Sequence, residues 1–240
     1  MMYRGIIHLH SRYSFDSILT INAILRICLR EKLNFVILAD HNTIKGSIAL
    51  RKLAIRRGVD VEVPISAEYA TEYGDVIAAF IKEEIRTSNF SELLREVKRQ
   101  GGILLMPHPY HGHSQVEVVA EQADLIEVFN GRITPEKNAL ARELAKRLNK
   151  PGYFASDAHL AINAANVIVE VEKMVDLKES LLRKEIRPVK AEYTGRLEIP
   201  FSQFVKAIKI LDINLLVSSF VRLVINLAKE ISRRKSTPYL

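Results

Sequence analysis

The sequence contains 240 residues, of which 48% are hydrophobic and 26% are charged, with a formal net charge of +7. This length and composition allow a substantial core in one large domain or two small ones. The single cysteine, Cys28, excludes an internal disulfide and favours a reducing compartment, so we expect a cytoplasmic protein. The positive charge favours anionic partners, such as phosphorylated substrates, nucleic acid or a membrane surface.

Hydrophobic spacing predicts alternating strands and helices from the N-terminus onward. The first strand is predicted at residues 3–7, and because it begins almost at once we expect no signal peptide. A helix follows over residues 18–32 with Thr20 as a suitable cap, and residues 34–39 are typical of a strand buried on both faces. Further strands are predicted at 59–66, 73–81, 103–106, 124–129, 152–155 and 166–171, and further helices at 43–57, 90–100, 116–122, 135–149 and 175–184. This alternation predicts an α/β fold with a mainly parallel sheet.

The first predicted strand ends in His8-Leu9-His10. Residues i and i+2 of a strand point to the same face, so both imidazoles are expected to project together. Neutral imidazole is a common ligand for Zn, Mn and Fe, and Asp16 is near enough in sequence to add an oxygen. On this motif alone, a pair of histidines without a ligand role is the alternative.

Other polar residues follow the same positional rule, because each lies at the end of a predicted strand. They are Asp40 and His41, Glu68, His108, and Asp157 with His159. The carboxyl ends of strands in a parallel barrel converge on one face, where functional loops lie. Histidines and carboxylates buried together without partners are costly, and divalent cations remove that cost. The pattern therefore predicts a site for two or three divalent ions, with Mn, Zn or Fe favoured by the mixed nitrogen and oxygen ligands.

Five motifs in order resemble the PHP family, named for polymerase and histidinol phosphatase. They are His8-Leu9-His10-Ser11 with Ser14 and Asp16, Ala39-Asp40-His41, Ser66-Ala67-Glu68, Pro107-His108-Pro109 and Ser156-Asp157-Ala158-His159. The resemblance covers roughly residues 3–190. It implies a distorted seven-stranded β/α barrel with a trinuclear metal centre, and usually hydrolysis of phosphoesters.

The resemblance also implies how the ligands are divided among the metals. The implied sets are His8, His10, Glu68 and Asp157 for one metal, Glu68 and His108 for a second, and Asp16, His41 and His159 for a third. Asp40 is expected to orient a ligand or the loop rather than to bind a metal. Where many relatives have a glycine after Asp16 this chain has Ser17, which puts the local loop conformation in doubt.

Asp75 marks a second departure from the family pattern. Many relatives place a histidine near this position, so Asp75 is a candidate ligand for the second metal and would favour Mn or Fe. The alternative is a turn residue beside Gly74.

The expected reaction is attack of a metal-activated hydroxide on phosphorus, with the metals neutralising the phosphate oxygens. We assign His10, Asp157 and His159 to the catalytic group, with His10 or His159 as proton relays. Arg12 and Arg132 are candidate phosphate ligands, because a guanidinium donates to phosphate in bidentate fashion. Two alternatives remain open: a catalytically weak metal-binding module that assists a nucleic-acid enzyme, and hydrolysis of a C–N bond.

The C-terminal part differs in composition from residue 196 onward. Residues 200–231 are rich in apolar side chains without metal-type motifs, and polar residues such as Asp212 and Arg222 argue against a membrane span. We divide the chain into a metal-dependent hydrolase domain, residues 1–195, and a helical extension with a basic tail, residues 196–240. Its two helices are expected to pack on the barrel or to form a homo-oligomer.

Overall fold

The computed structural model describes residues 1–235, with side chains through residue 229. The strands are β1 (Met2–Leu9), β2 (Phe35–Leu38), β3 (Ser66–Thr71), β4 (Gly74–Ala79), β5 (Ile103–Met106), β6 (Leu125–Asn130), β7 (Gly152–Ala155), β8 (Val167–Glu172) and β9 (Arg187–Ala191). The helices are α1 (Ile21–Glu31), α2 (Lys45–Arg57), α3 (Phe90–Arg99), α4 (Val116–Gln122), α5 (Pro135–Arg147), α6 (Leu177–Arg183), α7 (Glu198–Ile210) and α8 (Ile213–Lys235). The side chains of the predicted basic tail at 233–235 and all of residues 236–240 lie outside the described residues.

The strands pair as two mixed sheets, with the orders β2-β1-β8-β9 and β3-β4-β5-β6-β7. Pairs β1–β2, β5–β6 and β6–β7 are parallel, whereas β1–β8, β3–β4, β4–β5 and β8–β9 are antiparallel. The predicted α/β class is therefore confirmed, but the prediction of a mainly parallel sheet is wrong. One reason is local, because only two residues connect β3 to β4, and so short a turn joins antiparallel strands.

Isolated bridges bring the two sheets together close to the predicted site. Leu9 at the end of β1 bridges Ala158 just after β7, and His41 after β2 bridges Glu68 in β3. Within residues 1–235, however, the strands do not pair into one continuous sheet. The single seven-stranded barrel that the resemblance implies therefore stays a prediction.

Helix ends follow local chemistry that the sequence shows. The hydroxyl of Thr20 accepts a hydrogen bond from Ala23 N at 3.2 Å and begins α1, as predicted. Pro135 occupies the first turn of α5 after the Thr134 cap. For α3, Asn89 caps the helix, two residues before the Ser91 that the sequence suggested.

Burial of β2 agrees with the sequence, since Phe35 through Leu38 are all 0% exposed. The predicted strand over residues 59–66 is wrong in its position. This segment makes only the isolated bridge between Phe35 and Glu62, and β3 begins at Ser66. Glu68 consequently lies inside β3 rather than at the end of a strand.

The two C-terminal helices pack against each other, and α7 also contacts the site described below. Several apolar side chains of α8 are exposed, including Val217, Phe220 and Val224. None of the helices within residues 1–235 combines the length and the hydropathy that crossing a membrane requires.

Candidate metal centre

Left-handed backbone conformations place three of the predicted ligands. His8, His108 and Asp157 have φ values of +62°, +29° and +50°. At His8 the pairing of β1 with β2 shifts register between Ile7 and Leu9, which marks a β-bulge. Non-glycine residues with positive φ cost free energy, and they concentrate at functional sites, where the surrounding structure holds them. His8 and His10 do meet, but at a bulge rather than through regular alternation.

Four imidazoles are oriented in the same way, with Nδ1 against a protein acceptor. His8 Nδ1 lies 2.9 Å from Glu127 Oε1, and His10 Nδ1 lies 3.2 Å from Ser14 Oγ. His108 Nδ1 is 3.0 Å from the His111 carbonyl oxygen. His159 Nδ1 is likewise 2.9 Å from the carbonyl oxygen of Asp157. When Nδ1 carries the proton, Nε2 has a free lone pair, which is the tautomer that a metal ligand needs.

The Nε2 atoms of these histidines face one another and a set of buried carboxylates. His8 Nε2 and His10 Nε2 are 3.2 Å apart, although neither is a donor in the tautomers above. His10 Nε2 is 3.3 Å from Asp157 Oδ1, and His108 Nε2 is 3.4 Å from Glu68 Oε1. Ligands held at about 2.0–2.2 Å by one ion are separated by about 3.0–3.5 Å. The observed separations therefore fit a shared cation.

The remaining predicted ligands complete the cluster around His41. This imidazole lies between two carboxylates, with Nε2 3.2 Å from Asp16 Oδ2 and Nδ1 3.2 Å from Glu68 Oε2. His159 Nε2 is 3.0 Å from the same Asp16 oxygen. Groups whose ligand atoms all lie within 4.8 Å of one another are His10, Asp16, His41 and His159; His8, His108 and Asp157; His8, His10 and Glu68; and Glu68, Asp75 and His108. All nine residues predicted as ligands are thus brought together, Asp75 included.

Two buried carboxylate oxygens support the fit of cations to these residues. Among the described residues, Asp16 Oδ1 and Glu68 Oε1 have no hydrogen-bond partner, although both are shielded from solvent. A buried carboxylate oxygen without a donor is costly, and a divalent cation satisfies it. The donor set contains imidazole and carboxylate without thiolate, which suits Zn, Mn or Fe.

The electrostatics of the cluster also favour positive charge. Burial lowers the pKa of His8, but the carboxylates of Asp157, Glu127 and Glu68 outweigh it and raise that pKa to about 10. Burial raises the pKa of Glu68, yet the surrounding imidazoles hold it well below its ordinary value. His10 differs, because burial and the neighbouring His159 lower its pKa to about 3. The carboxylates therefore stay ionised and attract cations, whether protons or metals.

Glu127 is a functional residue that the sequence reasoning missed. Its side chain is 1% exposed in the middle of β6. Besides His8, it accepts hydrogen bonds from His108 N at 2.6 Å and from Asn130 Nδ2 at 2.8 Å. It thereby positions His8 and the backbone at His108. A signal was present, since a lone glutamate interrupts the apolar run at residues 125–129.

Polar contacts also fix the loop after β1. Asp40 accepts hydrogen bonds from Ser11 N at 2.6 Å and Ser11 Oγ at 2.7 Å, so it orients this loop, as one of its two expected roles required. Ser17 Oγ lies 2.8 Å from the His10 carbonyl oxygen and 2.9 Å from that of His159. Ser17, the departure from glycine, thus connects two ligand-bearing segments.

A cavity of about 470 Å³ opens onto the cluster. Asp75 and Arg132 line it, but Arg12 does not: Arg12 is exposed and lines a separate cavity with Arg26 and Arg57. The expected contact of Arg12 with a substrate in the site is therefore not supported, because its loop turns the side chain away from the ligands. Arg132 stays a candidate phosphate ligand.

Arg132 is held by helix α7, which the sequence analysis assigned to a separate extension. Its Nε is 3.2 Å from Glu198 Oε2, its Nη2 donates to Ser202 Oγ at 2.9 Å, and its Nη1 is 3.4 Å from Asp157 Oδ1. Glu198 also accepts a hydrogen bond from His159 N at 3.1 Å. The start of α7 is therefore part of the site. The domain boundary at residue 195 stays a prediction.

Comparison with known proteins gives the same picture. A family model described as PHP-associated matches residues 135–187. An uncharacterized protein of Methanocaldococcus jannaschii is 31% identical over 138 residues, which are 52% of this chain and 80% of that protein.

Two solved structures share the fold. A two-domain protein of Bacteroides vulgatus, described as containing a predicted PHP-like metal-dependent phosphoesterase, has a TM-score of 0.66 and 17% identity, over 80% of this chain and 65% of its own. An amidohydrolase of Chromobacterium violaceum with bound sulfate has a TM-score of 0.54 and 13% identity, over 79% of this chain and 93% of its own. This chain thus spans about two thirds of the two-domain protein.

The fold and the histidine–carboxylate cluster define an α/β protein of the PHP-like type. The chain belongs to the PHP family.

Proposed function

We propose that this protein is a metal-dependent phosphoesterase that hydrolyses a small phosphorylated metabolite or a nucleotide. The observation that carries the proposal is the set of overlapping ligand groups facing one cavity, with two buried carboxylate oxygens left without donors. His8, His10, Glu68 and Asp157 would hold one ion, Glu68, Asp75 and His108 a second, and Asp16, His41 and His159 a third. Mn, Zn and Fe all suit these ligands.

When bound, the ions would supply a water ionised near neutral pH and would neutralise charge on the phosphate oxygens. The chain's own residues do the rest. Glu127 and Asn130 hold the ligand side chains in place, which keeps the centre ordered before substrate arrives. Arg132 lies against Asp157 at the cavity wall and would donate to a phosphate oxygen. His159 and His10 are the candidate proton relays.

Charge at the cavity supports an anionic substrate over an amide. Arg132 and Lys206 both line the cavity. C–N hydrolases of related ligand chemistry would predict a carboxylated lysine or a lone general-base aspartate. Within the described residues the cavity has no lysine on a strand, since Lys206 belongs to α7. Hydrolysis of a C–N bond remains the second candidate, because one structural neighbour is described as an amidohydrolase.

The remaining expectations are parts of this proposal. They are a seven-stranded barrel, a cytoplasmic location, nucleic acid as an alternative partner and a homo-oligomer formed through α7 and α8. A catalytically weak module that assists a nucleic-acid enzyme is the alternative to an enzyme.

The test is a hydrolysis screen with protein that has been stripped with a chelator and reloaded with Mn, Zn or Fe. Nucleotides, sugar phosphates and a phosphodiester would be compared with N-acyl substrates. We expect phosphate release that requires reloading. Metal-loaded protein that is inert on every phosphoester would contradict the proposal, and turnover of N-acyl substrates alone would favour the second candidate.

A further inference from the structure

Helix α7 is attached to the metal centre at both ends. At its start, Glu198 contacts His159 N and Arg132, as described above. Near its end, Lys209 Nζ donates to the carbonyl oxygens of Ser14 at 2.8 Å and Ser17 at 2.7 Å, on either side of Asp16. The helix is therefore held rigidly beside the ligands.

Between these attachments, one face of α7 forms a wall of the cavity. Ile199, Gln203 and Lys206 line it, and their spacing of four and three residues places them on one side of the helix. The ligands Glu68, Asp75 and His108 also line the cavity, but they come from β3, β4 and the segment after β5. The α7 face thus supplies lining that no predicted metal ligand occupies.

The two lysines of this helix turn are used differently. The ammonium of Lys209 is surrounded by backbone carbonyl oxygens and is therefore structural. Lys206 is half-buried at the cavity, and its Nζ lies 4.8 Å from the centroid of the Phe15 ring. Among residues 1–229, it forms neither an ion pair nor a side-chain hydrogen bond. A partly buried ammonium without an anionic partner is an open binding position for an anion.

We propose that the α7 face is a specificity subsite, in which Lys206 binds a second anionic group of the substrate while Gln203 contacts its polar body. This inference rests on the proposed function, because the scissile phosphate would lie at the metal ligands. The substrate class is then a small phosphate ester that carries an additional carboxylate or phosphate. A cavity of about 470 Å³ suits a ligand of metabolite size.

The test uses two pairs of compounds that differ only in the second charge. Benzylphosphonate and 4-carboxybenzylphosphonate measure binding without turnover, by calorimetry on Mn-loaded protein. Phenyl phosphate and 4-carboxyphenyl phosphate measure hydrolysis. The variants are Lys206→Ala, Lys206→Arg and Lys206→Glu, with Lys52→Ala as the control at an exposed position of α2. Metal content and thermal unfolding are checked for each.

We expect wild type and Lys52→Ala to bind the carboxylated phosphonate about tenfold more tightly than the plain one, as one charge-assisted hydrogen bond implies. Lys206→Ala removes this preference, Lys206→Glu reverses it and Lys206→Arg keeps it. In hydrolysis the same ratio appears in KM. The neutral compounds control for changes in the metal centre, because they report any loss that does not depend on the second charge.

The outcomes separate this inference from the proposed function. A preference that is absent in wild type, or unchanged in Lys206→Ala and Lys206→Glu, overturns the subsite even if both phosphates are hydrolysed. A Lys206-dependent preference for the carboxylated phosphonate, without turnover of any phosphate, supports the subsite and contradicts the phosphoesterase.

Discussion

Glu127→Gln tests whether the hydrogen bond to His8 controls the metal centre. Glutamate presents two acceptor oxygens here, one to His8 Nδ1 at 2.9 Å and one to His108 N at 2.6 Å. Glutamine has one acceptor and one donor. The His108 N–H cannot change its role and Asn130 donates to the same oxygen, so the glutamine oxygen must take that position. Its amide group then faces His8 Nδ1.

Two donors would then oppose each other unless His8 moves its proton to Nε2. Nε2 is the nitrogen that faces His10, Glu68 and Asp157, and a protonated nitrogen cannot bind a metal. Loss of such an orienting partner costs about 10- to 100-fold in metal affinity, or about 1.4–2.7 kcal/mol.

The assay is a titration of chelator-treated protein with Mn, followed by calorimetry. Glu143→Gln, at an exposed position of α5, is the matched control and should behave as wild type. If Glu127→Gln binds the same number of ions with unchanged affinity, His8 does not act as a ligand through Nε2, and the reasoning is refuted.

Two other substitutions test different parts of the structure. Asp157→Asn removes the charge that lies 3.3 Å from His10 Nε2 and should lower phosphate release at least about 100-fold with an unchanged circular dichroism spectrum. The control is Asp60→Asn at an exposed position, and equal activity of the two variants would exclude Asp157 as a ligand. Gly46→Ala places a methyl group against Asp40 and within 2.6 Å of Ser11 Oγ, so it should break their hydrogen bonds and lower Tm by about 4 °C or more. Gly195→Ala, where no atom lies within 4 Å of the added carbon, should leave Tm unchanged, and equal Tm values for both variants would show that α2 does not press on Asp40.

The sequence predicts most of the helices and the composition of the site, because these follow from local rules. Thr20 and Pro135 mark helix starts that the structure reproduces. Polar residues that follow apolar runs, such as His108 and Asp157, do meet in space. Such residues are identifiable because buried charge needs a chemical reason.

Other features depend on contacts between distant segments and could not be read from local spacing. The bulge at His8 arises from its pairing with β2, and no local pattern encodes a positive φ there. The start of β3 was misplaced because residues 59–66 are apolar but pair at only one point. The contribution of α7 depends on Glu198 and Lys209 reaching loops more than a hundred residues away in sequence.

Metal content tests the central claim most directly. Wild-type protein would be stripped with a chelator, reloaded with Mn, freed of excess ions and measured by elemental analysis. The account predicts two to three equivalents per chain, since the ligand groups are separate enough to need more than one ion. One equivalent or none would contradict a multinuclear centre.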